Sequence, residues 1–305
     1  VAEAIKTETV VLAKPAPRRF ANAVPVAVVC LIVLVVWYLA AIPMNDVITG
    51  PKIEAAGGGL ANTLYYSWNE QRPVIPAPHQ IAVELWNTVA MIAPWKVKSL
   101  IYHAWITLSS TLLGFVMGTV FGIVLAILIT RSRFLSKSLM PWIIASQTIP
   151  ILAIAPMIIV VLGSIGIKGL FPKSLISMYL CFFPVAIGMV KGLTSPEVMQ
   201  LDLMRTYNAS ESQTLWKLRL PASLPFLFAS MKVGIAIALT GAIVGELPTG
   251  AVAGLGARLL SGSYYGQTIQ IWAALVVASA LAAAVVWLVG FIERQMGRLM
   301  GARPA

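Results

Sequence analysis

Apolar residues run almost unbroken at six places along the chain: Val24–Ile42, Leu100–Thr130, Leu139–Leu162, Ser174–Gly192, Leu224–Leu247 and Ile269–Phe291. Polar and charged residues gather between these runs. Wound as a helix, about 20 apolar residues match the hydrocarbon thickness of a bilayer. Inside lipid every backbone amide and carbonyl needs an internal partner, so the runs predict helices rather than open strands. The expected fold class is an all-α integral membrane protein with six transmembrane helices.

The same pattern partitions the chain into a tail at 1–20, a first span at 21–42, an extracytoplasmic segment at 43–99, a core of five spans at 100–292 and a second tail at 293–305. Arg18 and Arg19 before the first run, and Leu39-Ala40-Ala41 near its end, suggest a secretory signal, but the run is too long for one. Trp37 and Tyr38 fit an interfacial aromatic belt on an uncleaved span. Within 43–99, Gly, Pro and Asn are too frequent for another span. After Pro76-Ala77-Pro78, however, Ile81, Leu85, Trp86, Val89 and Ile92 recur at helical spacing. They predict a short helix lying along the outer interface or packed on the bundle.

Composition agrees with lipid as the solvent: 59% of residues are apolar, 11% are charged, and mean hydropathy is +0.86. The net charge of +11 is spread between the runs and forms no stripe of the kind that binds nucleic acid. With six spans both ends lie on one side. That side carries fourteen Lys and Arg, including Arg131, Arg133, Lys137, Arg205, Lys217 and Arg219, against seven on the other, so it is expected to be cytoplasmic. Cys30 and Cys181 fall inside apolar runs, and His79 and His103 are isolated, so neither a disulfide framework nor a metal site is indicated.

Within the spans, Ser110, Gly114, Gly118 and Gly122 put small side chains on one helix face and predict close approach of a neighbouring helix. Pro141, Pro150 and Pro156 predict bending of the third span, and Gln147 and Thr148 beside Pro150 are candidates to face a polar path or to bond a neighbouring helix. Lys232 and Lys191 are expected to reach the inner face. Glu246, near the outer end of the fifth span, is a candidate to line the path or to pair with Lys173 or Arg258.

The stretch Thr194–Pro225, on the basic side, is longer than a turn between two spans requires. Ser195 as cap, Pro196 in the first turn and Glu197 predict one short helix, with Asn208 as its left-handed terminator. Ser210-Glu211-Ser212-Gln213 fits a capping box opening a second helix that ends at Leu220-Pro221. Leu215, Trp216 and Leu218 then place large apolar groups outside the membrane, where a partner would have to cover them.

Asp202-Leu203-Met204, three residues, Asn208, nine residues, Leu218-Arg219-Leu220-Pro221 resembles the EAA loop of ABC importer permeases, whose pattern is E-A-A, three residues, G, nine residues, I-x-L-P. Asp202, Leu203-Met204, Asn208 and Leu218 replace Glu, Ala-Ala, Gly and Ile at matching spacing. Gln147-Thr148-Ile149-Pro150 with Ala155-Pro156, Gly163-Ser164-Ile165-Gly166, Phe182-Phe183-Pro184, Leu220-Pro221-Ala222-Ser223-Leu224-Pro225, and Glu246 followed by Gly254-Leu255-Gly256 are similar to the nitrate, sulfonate, taurine and bicarbonate branch of that family.

The resemblance implies a type I importer permease (MetI-like) fold and a bacterial inner-membrane location with both termini cytoplasmic. It implies a loop at 194–225 that carries the coupling helix, with Asp202, Asn208, Ser210, Gln213, Leu215, Trp216, Leu218, Leu220 and Pro221 at the motor interface. Its partners would be ABC ATPase subunits, an extracytoplasmic solute-binding protein and a second permease copy in a homodimer. ATP and magnesium would be bound by the ATPase and no cofactor by this chain. The absence of any Gly-Lys dipeptide, and hence of a P-loop, agrees, as does the lack of HExxH or GxSxG. Leu260-Ser261-Gly262-Ser263 is similar to the start of an ABC ATPase signature but falls in an outer loop.

Lys168, Lys173 and Arg258 on the outer side favour an anionic solute such as nitrate, a sulfonate or bicarbonate, with a neutral or heterocyclic compound as the alternative. Two other functions remain open, an ion-gradient-driven secondary transporter and a structural assembly subunit.

Overall fold

The computed structural model describes residues 23–248 and 253–299. The tail at 1–20, with Lys6, Lys14, Arg18 and Arg19, and Arg303 near the other end lie outside the described residues. The chain divides into two compact units, one ending at Glu70 and one beginning at Gln71.

The first unit holds α1 (Ala23–Ala55) and α2 (Leu60–Asn69). The apolar run that predicted a span to Ile42 is the first part of a longer helix, which continues through Pro43 and Pro51. Its second half gains a partner in α2. Asn45 Nδ2 donates to the Ser67 carbonyl at 2.9 Å, and Trp68 Nε1 to the Tyr38 carbonyl at 3.1 Å. Tyr38 and Trp68 also meet edge to face, so Tyr38, one of the two aromatics expected to mark an interface, packs on α2.

The second unit opens with α3 (Pro78–Leu85), which continues into a π turn at Trp86–Met91. The predicted short helix is therefore present, ending one residue before Ile92. Ile81 is buried where α3 packs on the last helix, as the placement on the bundle requires, whereas Val83, Trp86 and Met91 are exposed.

α4 (Leu100–Arg131), α7 (Leu170–Leu193), α10 (Leu220–Glu246) and α12 (Thr268–Leu299) form the core, and α12 carries the helix well into the stretch expected as a tail. Phe115, Cys181, Val185, Phe228, Ile235 and Val289 meet where the four converge. Lipid offers no hydrophobic drive between helices, so close backbone approach through small residues does the work. A Cβ at Gly118 would lie 3.0 Å from Cys181 Cβ, and one at Gly122 2.9 Å from the Phe182 carbonyl, which confirms the small-residue face of α4 and identifies α7 as its neighbour. On the other side of α7, Gly192 and Gly241 admit Ser223 and Ser177 of facing helices in the same way.

Between α4 and α7 the predicted third span is broken. α5 (Arg133–Ser146) and α6 (Ile151–Ser164) meet at 96°. Of the three prolines expected to bend it, Pro141 and Pro156 lie inside regular helix, and only Pro150 marks the break. Pro150 has no amide and disfavours helical backbone at Ile149, while the Gln147 and Thr148 amides close tight turns onto the Ile144 and Ala145 carbonyls. Among the described residues five helices are long and apolar enough to cross a bilayer, and the bent pair makes a sixth if it is one broken span. α5 follows Arg131 at the end of α4, and Ile159 and Gly163 of α6 share a cavity with Trp105 and Ser109 in the first three turns of α4.

Candidate functional site

The hairpin after α7 is built from α8 (Val198–Thr206), the single turn α9 (Glu211–Thr214) and a π turn at Leu215–Arg219. Ser195 does not cap α8 as expected. Its hydroxyl donates to the Gly192 carbonyl at 2.7 Å, closing α7, so Glu197 takes the cap and its amide donates to Gln200 Oε1 at 3.1 Å. Asn208 does terminate α8 with left-handed backbone, φ 50°. This turns the Asn208 and Ala209 amides back onto the Arg205 and Met204 carbonyls at 2.8 and 3.0 Å. The Ser210 capping box forms: the Gln213 amide donates to Ser210 Oγ at 3.2 Å and the Ser210 amide to Gln213 Oε1 at 2.9 Å.

The second short helix does not end at Leu220-Pro221. It passes straight into α10, so Glu211–Glu246 is one helix of 36 residues. Pro221 lacks an amide, and its ring would press on the carbonyl four residues back. The π turn widens the helix there, with the Leu220 amide reaching the Leu215 carbonyl, and the proline is accommodated.

The apolar residues of the hairpin divide into two groups. Leu215 and Leu220 are half-buried against Ala126, Met189 and Leu193 and root the hairpin in the bundle. Trp216 is 68% exposed, and Leu203, Tyr207 and Met199 are exposed with it. Leu218 is half-buried and Pro221 exposed. Asp202 pairs with Arg205 at 3.0 Å on the solvent side.

At the other end of the same helix, Glu246 is fully buried. Its carboxylate accepts from Thr107 Oγ1 at 3.0 Å and from the Gly256 amide at 2.8 Å, and it faces Lys173 Nζ at 3.7 Å. Thr107 Oγ1 in turn accepts from the Leu255 amide at 2.9 Å, and His103 Nδ1 from the Gly254 amide at 2.9 Å. The suggested pairing with Lys173 is present. The carboxylate is enclosed between α4, α7 and the residues that open α11 (Leu255–Tyr264). Arg258 instead reaches toward the Lys98 carbonyl.

The elbow of the bent pair holds the other path candidates. Gln147 is half-buried, with Nε2 donating to Ser146 Oγ at 3.3 Å, and Thr148 Oγ1 donates to the Ala145 carbonyl at 2.8 Å. Thr148 and Pro150 are exposed. The Tyr179 hydroxyl of α7 donates to the Ser146 carbonyl and anchors the elbow. A separate cavity of about 800 Å³, between the start of α4 and the turn from α6 to α7, is walled mainly by apolar groups, Trp105, Ile106, Ile159 and Ile167 among them, with Lys168 and Lys173 also in its lining.

Residues 118–298 match the family model described as the binding-protein-dependent transport system inner membrane component. The chain belongs to that family. It is an ABC importer permease, a multi-pass membrane protein with the MetI-like fold of the type I importers. A probable ABC transporter permease protein of Haemophilus influenzae is 31% identical over 67% of this chain and 78% of its own length. A riboflavin transport system permease of Chloroflexus aurantiacus is 31% identical over 74% and 80%. The taurine transport system permease of Escherichia coli is 26% identical over 68% and 74%.

In this permease, Thr107, His103 and Lys173 escaped attention as a group because they lie on two helices far from Glu246 in sequence. A threonine in an apolar run carries no signal by itself. Gly254 and Gly256, ten residues at most beyond the buried glutamate, were the legible sign that backbone comes close to it.

Proposed function

We propose that this permease forms the solute path of an importer driven by a separate ATPase that grips the hairpin 194–225. One observation carries the reading: the exposed Trp216 turn and the Glu246 end belong to a single unbroken helix. At 1.5 Å per residue it spans about 54 Å, enough to cross a bilayer and project beyond it. A push on Trp216 is therefore delivered to the far side of the membrane without an intervening hinge. Asp202, Asn208, Ser210, Gln213, Leu215, Leu218, Leu220 and Pro221 shape or root that handle. The chain binds no nucleotide; ATP and magnesium sit in the ATPase.

The hairpin side is cytoplasmic on the excess of Lys and Arg there, with both termini on that side. A second copy of this chain completes the path, with Gln147, Thr148 and Pro150 at the exposed elbow facing it, since polar residues at membrane depth favour water or a partner over lipid. An extracytoplasmic binding protein delivers the solute. The apolar cavity beside Lys168 supports an organic solute with one negative group, of the sulfonate type, over bare nitrate or bicarbonate. A neutral heterocycle is the second reading, supported by the engagement of Lys173 with Glu246, which leaves Lys168 as the one lysine in the cavity lining without an ion pair among the described residues.

Proteoliposomes holding the permease, its ATPase and the binding protein test both points. Uptake that requires enclosed ATP and persists when ion gradients are collapsed is expected; gradient-driven uptake without ATP would contradict the reading. A binding protein that captures only nitrate or bicarbonate would overturn the solute class alone.

A further inference from the structure

The turn from Glu211 to Arg219 has two faces. Trp216 and Lys217 are exposed on one of them. A second face, through Glu211, Leu215 and Arg219, closes a cavity of about 260 Å³ whose other walls include Ile127 and Arg131 of α4 and Arg205 of α8. Three guanidiniums meet one carboxylate there. Arg205 is engaged by Asp202, but neither Arg131 nor Arg219 forms an ion pair or side-chain hydrogen bond among the described residues. Two uncompensated guanidiniums, one of them half-buried, make this space strongly attractive to an anion.

The planar donor fork of arginine matches phosphate oxygens in a way a lysine does not. Arg131 directly follows the apolar run of α4, which sets the cavity at headgroup depth, and Ile127 lies one turn further into the span. We infer that this cavity seats the phosphodiester of an anionic phospholipid at the root of the hairpin. The headgroup depth of the site argues against an acidic side chain of the ATPase and against a soluble anion as the occupant. The bound lipid would steady the root of the hairpin, so that anionic lipid content tunes how firmly the handle is held.

The test uses the full chain in detergent, with thermal unfolding followed as phosphatidylglycerol, phosphatidylcholine or inorganic phosphate is added. Phosphatidylglycerol is expected to raise the midpoint where the other two do not. Arg131→Gln with Arg219→Gln should lose that response, with lipid retention in native mass spectrometry weakened roughly fivefold for each charge removed. Lys96→Gln with Lys98→Gln, on the other side, should keep it, and Glu211→Gln should enlarge it. Equal responses to phosphatidylglycerol and phosphatidylcholine, or a response that survives in the double variant, would overturn the assignment. Inorganic phosphate acting as well as phosphatidylglycerol would overturn the lipid source. Loss of ATPase co-purification with an intact lipid response would move these arginines to the subunit interface and overturn it too. Should the double variant fail to fold, the lipid comparison on the wild type and on Glu211→Gln decides.

Discussion

Glu246 Oε2 accepts the backbone amide of Gly256 at 2.8 Å, and the Cα of Gly254 rests against the same carboxyl group, at φ 131°. A side chain at either glycine has nowhere to go: a Cβ at Gly254 would overlap the Glu246 carboxyl, and one at Gly256 would overlap the Ile243 carbonyl. Gly254→Ala and Gly256→Ala are each expected to lower stability by about 2 kcal/mol or more through steric conflict and, at Gly254, backbone strain. Thermal unfolding in detergent checks this; wild-type midpoints would refute the packing described.

Glu246 itself is held by charge and by hydrogen bonds, and two substitutions separate these. Glu246→Ala leaves the Gly256 amide without its acceptor and Lys173 without its counter-charge, and should cost about 3–5 kcal/mol. Glu246→Gln keeps one acceptor oxygen and should cost about half as much. Equal losses for the two would show that the negative charge alone matters there.

Much of the molecule was legible in its sequence because the decisive patterns were local. The Ser110-Gly114-Gly118-Gly122 face repeats within about three helical turns, and the left-handed Asn208 and the Ser210 capping box each depend on residues within one or two. Features that depend on a choice between competing local partners were not legible. Ser195 spends its hydroxyl on the helix before it rather than the one after, and the π turn carries the helix past Pro221. The enclosure of Glu246 was hidden for another reason, since Thr107 contributes from a helix 139 residues away.

Asn208 is favoured because its side chain tolerates positive φ. Asn208→Gly should therefore be near neutral, whereas Asn208→Val should cost about 1–2 kcal/mol and loosen the hairpin. Limited proteolysis between α8 and α9 reads this out. Faster cleavage of the valine variant alone is expected, and indifference to both would contradict the turn's role.

The elbow depends on one hydroxyl. Tyr179→Phe removes the donor to the Ser146 carbonyl at the 96° break and should cost about 1 kcal/mol while leaving assembly intact. If the elbow borders the path, uptake should fall by more than the small change in stability explains. Unchanged uptake would place the elbow away from it.

Exposed aromatic anchors dominate many interfaces, so Trp216→Ala is expected to weaken ATPase attachment by about 2 kcal/mol or more, while the folded permease keeps its unfolding midpoint. Undiminished co-purification would argue against a docking role.

The most direct test places a cysteine at Trp216 in a Cys30→Ser background and reconstitutes the permease with its ATPase and binding protein. Short-span cross-linking to the ATPase, with a yield that changes when ATP is added, is the result predicted for a handle gripped by a motor. A cysteine at this position that is labelled freely by a soluble reagent and never joins the ATPase, in complexes that still transport, would contradict the account.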